Sequence, residues 1–178
     1  MTWLSGSHAE DLYASYLRLA LDMGARNAVV FQTDQLGFDA RTTLKCMFGC
    51  DSWGKGHMCP SRPGSLSTWE YERVLRLYSG GVLVHAADGH VLQDVTCAVE
   101  KSAYRDGHYL AFSTSDCLRC TPCHGVNGEA CPHPLEARPA LHSPGIDVFA
   151  TARGLGLPIE VLTSADDPQN WYGAVFVE

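Results

Sequence analysis

The chain has 178 residues, with 13 Lys and Arg against 20 Asp and Glu, a length that suits one domain with a core of its own. Its net charge of −7 leaves no basic surplus to displace counterions from phosphate, so nucleic acid is not an expected partner. Hydrophobic residues at 46% and charged residues at 19% are globular proportions that exclude wholesale disorder. Met1 to His8 carry no Lys or Arg, Glu10, Asp11 and Arg18 interrupt the next stretch, and no apolar run reaches the roughly 20 residues of a membrane span. A cytoplasmic protein with no membrane contact is expected. In reducing cytosol its eight Cys are read as metal ligands or catalysts before disulfides.

Four segments read as helices. The first opens at Ser7 with Glu10 three residues on, a capping box; Leu12, Tyr16, Leu19 and Met23 share a face, and Gly24 is the stop. The second opens at Ser67 with Glu70, stapled by Leu66 and Tyr71. Val74, Leu75 and Tyr78 continue its buried face up to Gly80-Gly81. The third runs from about Asp94 to Tyr104, with Gly107 beyond. The fourth takes Ser143 as cap, Pro144 at its first position and Gly154 past its end. Five short runs rich in Val, Phe and Ile read as strands: Ala28 to Gln32, Val82 to Ala86, Tyr109 to Thr114, Ile159 to Thr163 and Ala174 to Val177. Their alternation with helices predicts one α/β domain over residues 1–178, with helices on a mixed sheet.

Residues 33–65 and 115–142 fit neither pattern. Long aperiodic loops in a compact domain are usually functional, and both carry cysteines, so a metal centre would supply the order that secondary structure does not. The second loop reads Cys117-x2-Cys120-x2-Cys123, then seven residues, then Cys131-Pro132. Three thiols at two-residue intervals suit one corner of a [4Fe–4S] cube, and a Pro after the last Cys recurs in bacterial ferredoxins. Tetrahedral zinc more often takes two Cys pairs across a longer spacer. The first loop reads Cys46-x3-Cys50, then eight residues, then Cys59-Pro60, with Gly49, Gly54 and Gly56 between, and suits a second cube.

Two fully thiolate-bound cubes need eight Cys, and the chain has eight. Cys97, however, falls inside the third helix, where a free Cys reads as buried packing. Seven thiols then serve two clusters. The local partition, with four thiols in the second loop and three in the first, is favoured; the ferredoxin pattern would instead send Cys131 to the other cluster. His57 and His142 are candidate proton donors or nitrogen ligands near an open iron, and Arg138 a candidate partner for a substrate carboxylate. Gly145, beside Ser143 and Pro144, suggests a close approach to the backbone. His85, His90 and His108 flank strands and read as structural.

Cys46-x3-Cys50, Trp53-Gly54-Lys55, Cys59-Pro60, the Cys117 to Cys131-Pro132 loop, Arg138-Pro139 and the run from Gly145 to Thr151 together resemble DUF2284, a family of predicted metal-binding proteins. Glu100, Tyr104, Gly107-His108-Tyr109 and Ala111 fit its middle block, and the resemblance spans roughly residues 40–178. It implies metal binding through these cysteines. The chain departs from the family pattern at Ser61, where a second Pro is usual, and at Ala140-Leu141-His142-Ser143, where Ser-Met-Glu-Ala is usual. The second departure puts a group that titrates near neutrality where an acid is expected.

The combined expectation is a redox enzyme with two [4Fe–4S] clusters, one relaying electrons and one offering an open iron to a small-molecule substrate. Its electrons would come from an external donor such as a ferredoxin or flavodoxin. An electron carrier with both clusters fully ligated, and a zinc-stapled binding module, are the alternatives.

Overall fold

The computed structural model describes residues 6–164 and 166–178, with side chains from Tyr13 onward. The elements in chain order are α1 (Gly6–Asp22), β1 (Asn27–Gln32), α2 (Thr42–Gly49), α3 (Thr68–Leu75), β2 (Gly80–Ala86), α4 (Gly89–Arg105), β3 (Phe112–Thr114), α5 (Val148–Gly154) and β4 (Trp171–Phe176). Short 3-10 turns occupy Thr33–Gln35 and His124–Asn127.

The sheet is wholly antiparallel, in the order β1-β2-β4-β3, which corrects the expected mixed sheet of five strands. The reason is topological. β2 and β3 run the same way on either side of α4, but β4 inserts between them and opposes both, so the two never pair. The fifth expected strand, Ile159 to Thr163, pairs with neither edge strand, β1 or β3, and is irregular. β3 begins later than expected, at Phe112.

Period-2 alternation along β2 and β4 divides the core. Val82, Val84, Ala86 and Val175 face Tyr16 and Ala20 of α1 and Leu92, Val95 and Val99 of α4. Leu83, Ala174 and Phe176 face Phe31, Leu36, Leu75, Leu141, Ile146 and Ala152. Two helices thus cover one face, while the other is closed largely by the segments that flank the cysteine loops.

Ser67 caps α3 as expected: its side chain accepts the Glu70 amide, and the Glu70 carboxylate takes the Ser67 amide at 2.8 Å. α3 ends at Leu75, short of Gly80-Gly81, which open β2 instead; Val74 is exposed. The capping box expected from Ser7 and Glu10, and the place of Leu12, fall outside the described side chains. α4 starts a turn before Asp94, capped by Asp88, whose carboxylate accepts the His90 and Val91 amides. The fourth expected helix begins at Asp147 rather than Ser143. Gly145 lies at φ +91°, outside helical space, and a Cβ there would meet Thr68 Cγ2 at 2.2 Å. The close approach that Gly145 suggested is thus made by α3. α2 has no counterpart among the expected helices; its eight residues carry Cys46 within the first loop.

Candidate metal centre

The two loops are held from opposite sides of the fold. The first is pinned at its entry to the segment before α5: Gly37 accepts the Asp147 amide at 2.6 Å, Gly145 accepts the Asp39 amide at 2.7 Å, and Thr151 Oγ1 accepts the Gly37 amide at 3.0 Å. The ends of the second are tied by the Ser115 amide donating to Pro139 at 2.8 Å. Arg119 in that loop reaches Asp94 of α4 at 2.7 Å and Glu136 at 2.9 Å.

Between the loops lies a cavity of about 230 Å³ lined by Cys46, Cys50, Cys59, Cys117, Cys120, Cys123 and Cys131. Two stretches more than fifty residues apart in sequence therefore deliver all seven expected thiols to one place. His57 and His142 line the same cavity. Arg138 does not: its guanidinium is paired with the Glu100 carboxylate, with Nε to Oε2 at 2.9 Å and Nη2 on Oε1, and its Nη1 donates to Ala137. Glu100 also accepts the Ser113 amide at 2.8 Å and the Ser113 hydroxyl. Burial opposes ionisation of Glu100, yet the bonds from Arg138 and Ser113 hold its carboxyl below the ordinary range.

The thiols sort into two electrostatic groups. Burial raises the Cys46 thiol, and its charged neighbours Cys50, Cys59 and Asp116 raise it further. The Cys120 thiol is raised by desolvation and by Cys117, Cys131 and Cys123. Cys131 is thus a neighbour of Cys120 within its own loop. Cys59 moves the other way. Burial opposes its ionisation, but bonds from the Ser61 hydroxyl at 3.0 Å, the Ser61 backbone and the Gly54 amide at 3.1 Å together outweigh it. Among the described residues, no three His, Cys, Asp or Glu side chains converge tightly enough to enclose a single ion.

His57 joins the loops. Its Nε2 lies 2.7 Å from the Glu129 carbonyl, which can only accept, so Nε2 carries the proton. Arg62 Nη1 donates to the His57 carbonyl at 2.7 Å. Gly125 makes the approach possible: a Cβ there would come within 2.9 Å of both the His57 nitrogen and the Lys55 oxygen.

Cys97 lies outside the cavity, 6% exposed, with its Sγ donating to the Glu136 carbonyl at 3.8 Å. One turn earlier on α4 is a residue that sequence reasoning missed. Gln93 is fully buried; its Oε1 accepts the Leu118 amide at 2.9 Å, and its Nε2 donates to Glu136 at 3.3 Å and reaches Cys117 Sγ at 3.8 Å. A polar residue between Leu92 and Asp94 carries no local signal of that task. Asp116 was missed as well, although it directly precedes Cys117.

A second cavity of about 680 Å³ adjoins the first and shares Asp116 and His142 with it. Its walls include Leu141, Ile146, Trp171 and Tyr172, together with Ile159 to Leu162. Val161 and Leu162 from the unformed fifth strand are exposed and line this space. The apolar residues share the walls with charged ones, Asp39, Arg41, Lys45 and Glu160 among them, and a space of this volume suits a small molecule.

Among the described residues no helix is long and apolar enough to cross a membrane. No curated protein and no solved structure matches the chain. The sequence profile of the predicted metal-binding protein family DUF2284 matches residues 29–177, the stretch that contains both cysteine loops, the shared cavity and every strand after the first two residues of β1. With eight cysteines, seven of them around one cavity, the chain belongs to the DUF2284 family of predicted metal-binding proteins.

Proposed function

We propose that the chain is a cytoplasmic redox enzyme with two [4Fe–4S] clusters. The observation that carries this reading is the sorting of seven thiols around one cavity into a group of four and a group of three. Cys117, Cys120, Cys123 and Cys131 would hold one cluster, and Cys46, Cys50 and Cys59 three irons of the other. The donor set fits. A single tetrahedral zinc needs its sulfurs all about 2.3 Å from one point, and among the described residues no three His, Cys, Asp or Glu side chains are grouped to hold one ion. Mutual repulsion raises Cys46 and Cys120 in the bare protein, and a cationic core offsets such repulsion.

Such clusters, when bound, supply one-electron transfer and, where an iron lacks a thiolate, a Lewis-acid position. The protein's own residues shape the rest. Bonds from Gly54 and Ser61 to Cys59, and from Gln93 to Cys117, donate to ligand sulfurs, a means of setting potential. His142 is exposed and borders both cavities, which suits a proton donor to a small molecule in the second. His57 is committed to the Glu129 carbonyl and orders the loops. Arg138 is committed to Glu100, so a substrate carboxylate is not its partner. Electrons would come from an external ferredoxin or flavodoxin.

The test is anaerobic reconstitution with iron and sulfide analysis. About eight of each per chain are expected, the content of two cubes, and Cys120→Ala should remove about four irons, one cube's worth. Stoichiometric zinc in native protein that fails to take up iron would overturn the reading.

A further inference from the structure

Seven thiols leave one donor to find if two cubes share this cavity, and the eighth cysteine does not supply it, because Cys97 faces the Glu136 carbonyl from α4. Of the histidines on the cavity wall, His57 already uses Nε2 toward Glu129, and His124 is paired with the Glu129 carboxylate at 2.8 Å. His133 and the exposed His142 line it too, and beside them stands Asp116, a partly buried carboxylate on which no donor is seated among the described residues. It follows Ser115, whose amide is fixed to Pro139, and precedes Cys117, so the backbone there is held from both sides. It lines the cavity together with all seven thiols, and its charge acts on Cys46, in the group of three. The step from Asp116 to Cys117 is thus the junction of the two thiol groups.

We infer that Asp116 is the fourth ligand of the cluster held by Cys46, Cys50 and Cys59, and that its carboxylate is the exchangeable position through which the second cavity reaches that cluster. The inference rests on the two-cluster reading above. Other partly buried acids are matched: Glu100 with Arg138 and Ser113, Asp147 with a helix amide, Glu136 with Arg119. Asp116 is partly buried, and among the described residues no hydrogen-bond donor and no Lys or Arg is seated on its carboxylate. Among those residues its sole compensating neighbour is the exposed His142. A half-buried carboxylate facing thiols and lacking a donor is costly as an isolated ion, and ligation to iron removes that cost. An oxygen donor also holds iron less firmly than a thiolate does, since soft thiolates are the preferred ligands of iron–sulfur cores. Asp116 and His142 form the shared wall of both cavities, so a molecule in the second can displace the carboxylate without disturbing a cysteine. The chemistry this favours is a small, mostly apolar compound with one oxygen, nitrogen or sulfur donor directed at Asp116.

The test uses the full chain, reconstituted anaerobically, as wild type and as Asp116→Ala, Asp116→Cys and His142→Ala. Ferricyanide is then added. A cube with an oxygen-held iron releases one ferrous ion to the buffer and one electron to ferricyanide, which leaves a three-iron cluster with its own EPR signal. Wild type and His142→Ala should hold about eight irons and give that signal on oxidation. Asp116→Ala should hold about seven and give the signal on oxidation with no further release of ferrous ion, and Asp116→Cys should hold about eight and never show it. ENDOR of reduced wild type grown on carboxyl-labelled aspartate should show coupling to the label, a readout independent of how the variants fold. Asp116→Ala behaving as wild type, His142→Ala losing the iron in its place, or no coupling to the label would each overturn the inference while leaving the two clusters standing. Wild type that takes up no iron–sulfur core would overturn the two-cluster reading itself.

Discussion

Gln93 Oε1 accepts the Leu118 amide at 2.9 Å, and through that bond α4 holds the loop bearing Cys117, Cys120, Cys123 and Cys131. The same side chain reaches Glu136 and Cys117 Sγ, so one buried amide ties both arms of the loop to α4. Gln93→Leu keeps the volume and removes every bond. It leaves the Leu118 N–H unpaired, which costs about 1–3 kcal/mol. The expected outcome is a lower urea midpoint and loss of iron from the four-thiol group first. Iron retention and stability equal to wild type would show that the loop is ordered by something else.

Gly125 sets how near the two loops come. In Gly125→Ala the new Cβ would lie 2.9 Å from His57 N and Lys55 O, backbone atoms that cannot swing aside. The loops should part, at a cost of about 1–3 kcal/mol, as for other overpacked sites, and the cavity between them should hold metal less well. Gly49→Ala, where nothing lies within 4 Å of the new Cβ, is the control. The check is limited proteolysis alongside metal content, and equal behaviour of the two variants would count against loop contact.

These two residues also show where sequence reading stops. Capping is local, so Ser67 and Glu70 were legible as a pair and α3 starts where they place it. Ser143 was the expected cap, but the helix starts from Asp147, because Gly145 between them sits at φ +91°, outside helical space, where it packs on Thr68. That contact joins residues far apart in the chain and has no local trace. Ile159 to Thr163 has the composition of a strand but walls a cavity, and only the sheet's strand order, with β3 and β1 at its edges, shows that it has no partner. That these seven thiols form one set was legible from spacing, because chain connectivity alone brings close neighbours in each loop together, and the fold brings the two loops to one cavity. Gln93 and Asp116 were not, since each acts on the thiols through the fold rather than through adjacent sequence.

Arg138 tests the difference between a site residue and a structural one. It and Glu100 keep only 18% and 14% of their side-chain surface in water. Removing one member of such a pair strands the other charge, typically at about 3–5 kcal/mol when fully buried. Arg138→Met should therefore destabilise strongly, and the double variant Glu100→Leu with Arg138→Met should recover much of the loss. The carboxyl of Glu100 is depressed in the fold, so the pair's contribution is complete above the ordinary carboxyl value and fades as pH falls through the lower folded one. Chemical denaturation of wild type and the two variants checks this. A role on substrate would instead leave stability unchanged.

His85 predicts a pH slope at a higher range. Its ring stacks on Tyr172 at 4.7 Å, Nδ1 lies 2.9 Å from Asn27 Nδ2 and Nε2 lies 2.9 Å from Asn170 Oδ1. Nδ1 must accept and Nε2 must donate, which is the neutral ring. Burial holds its pKa below the ordinary 6.5 despite the Asn170 bond. Below 6.5 the unfolded chain takes up a proton that the folded chain refuses, so stability falls as pH drops through 6.5 and levels off below the folded value. His85→Gln should flatten that part of the profile in urea titrations taken at a series of pH values. A slope that survives the substitution would belong to another group.

Cys97, the eighth thiol, is buried on α4, and its Sγ points to the Glu136 carbonyl, which Gln93 also holds. In Cys97→Ser the hydroxyl can donate to the same carbonyl, so the cost should be near 1 kcal/mol, roughly that of one modest hydrogen-bond exchange. Iron content and the EPR spectrum should match wild type, because the thiols around the cavity are untouched. The outcome separates two proteins that look alike by metal analysis. If both clusters survive, one iron is bound by something other than cysteine and is open to exchange with a ligand from the second cavity. If one cluster is lost, Cys97 is the missing thiolate, all eight cysteines are in use, and the chain is a carrier of electrons with no position for a substrate.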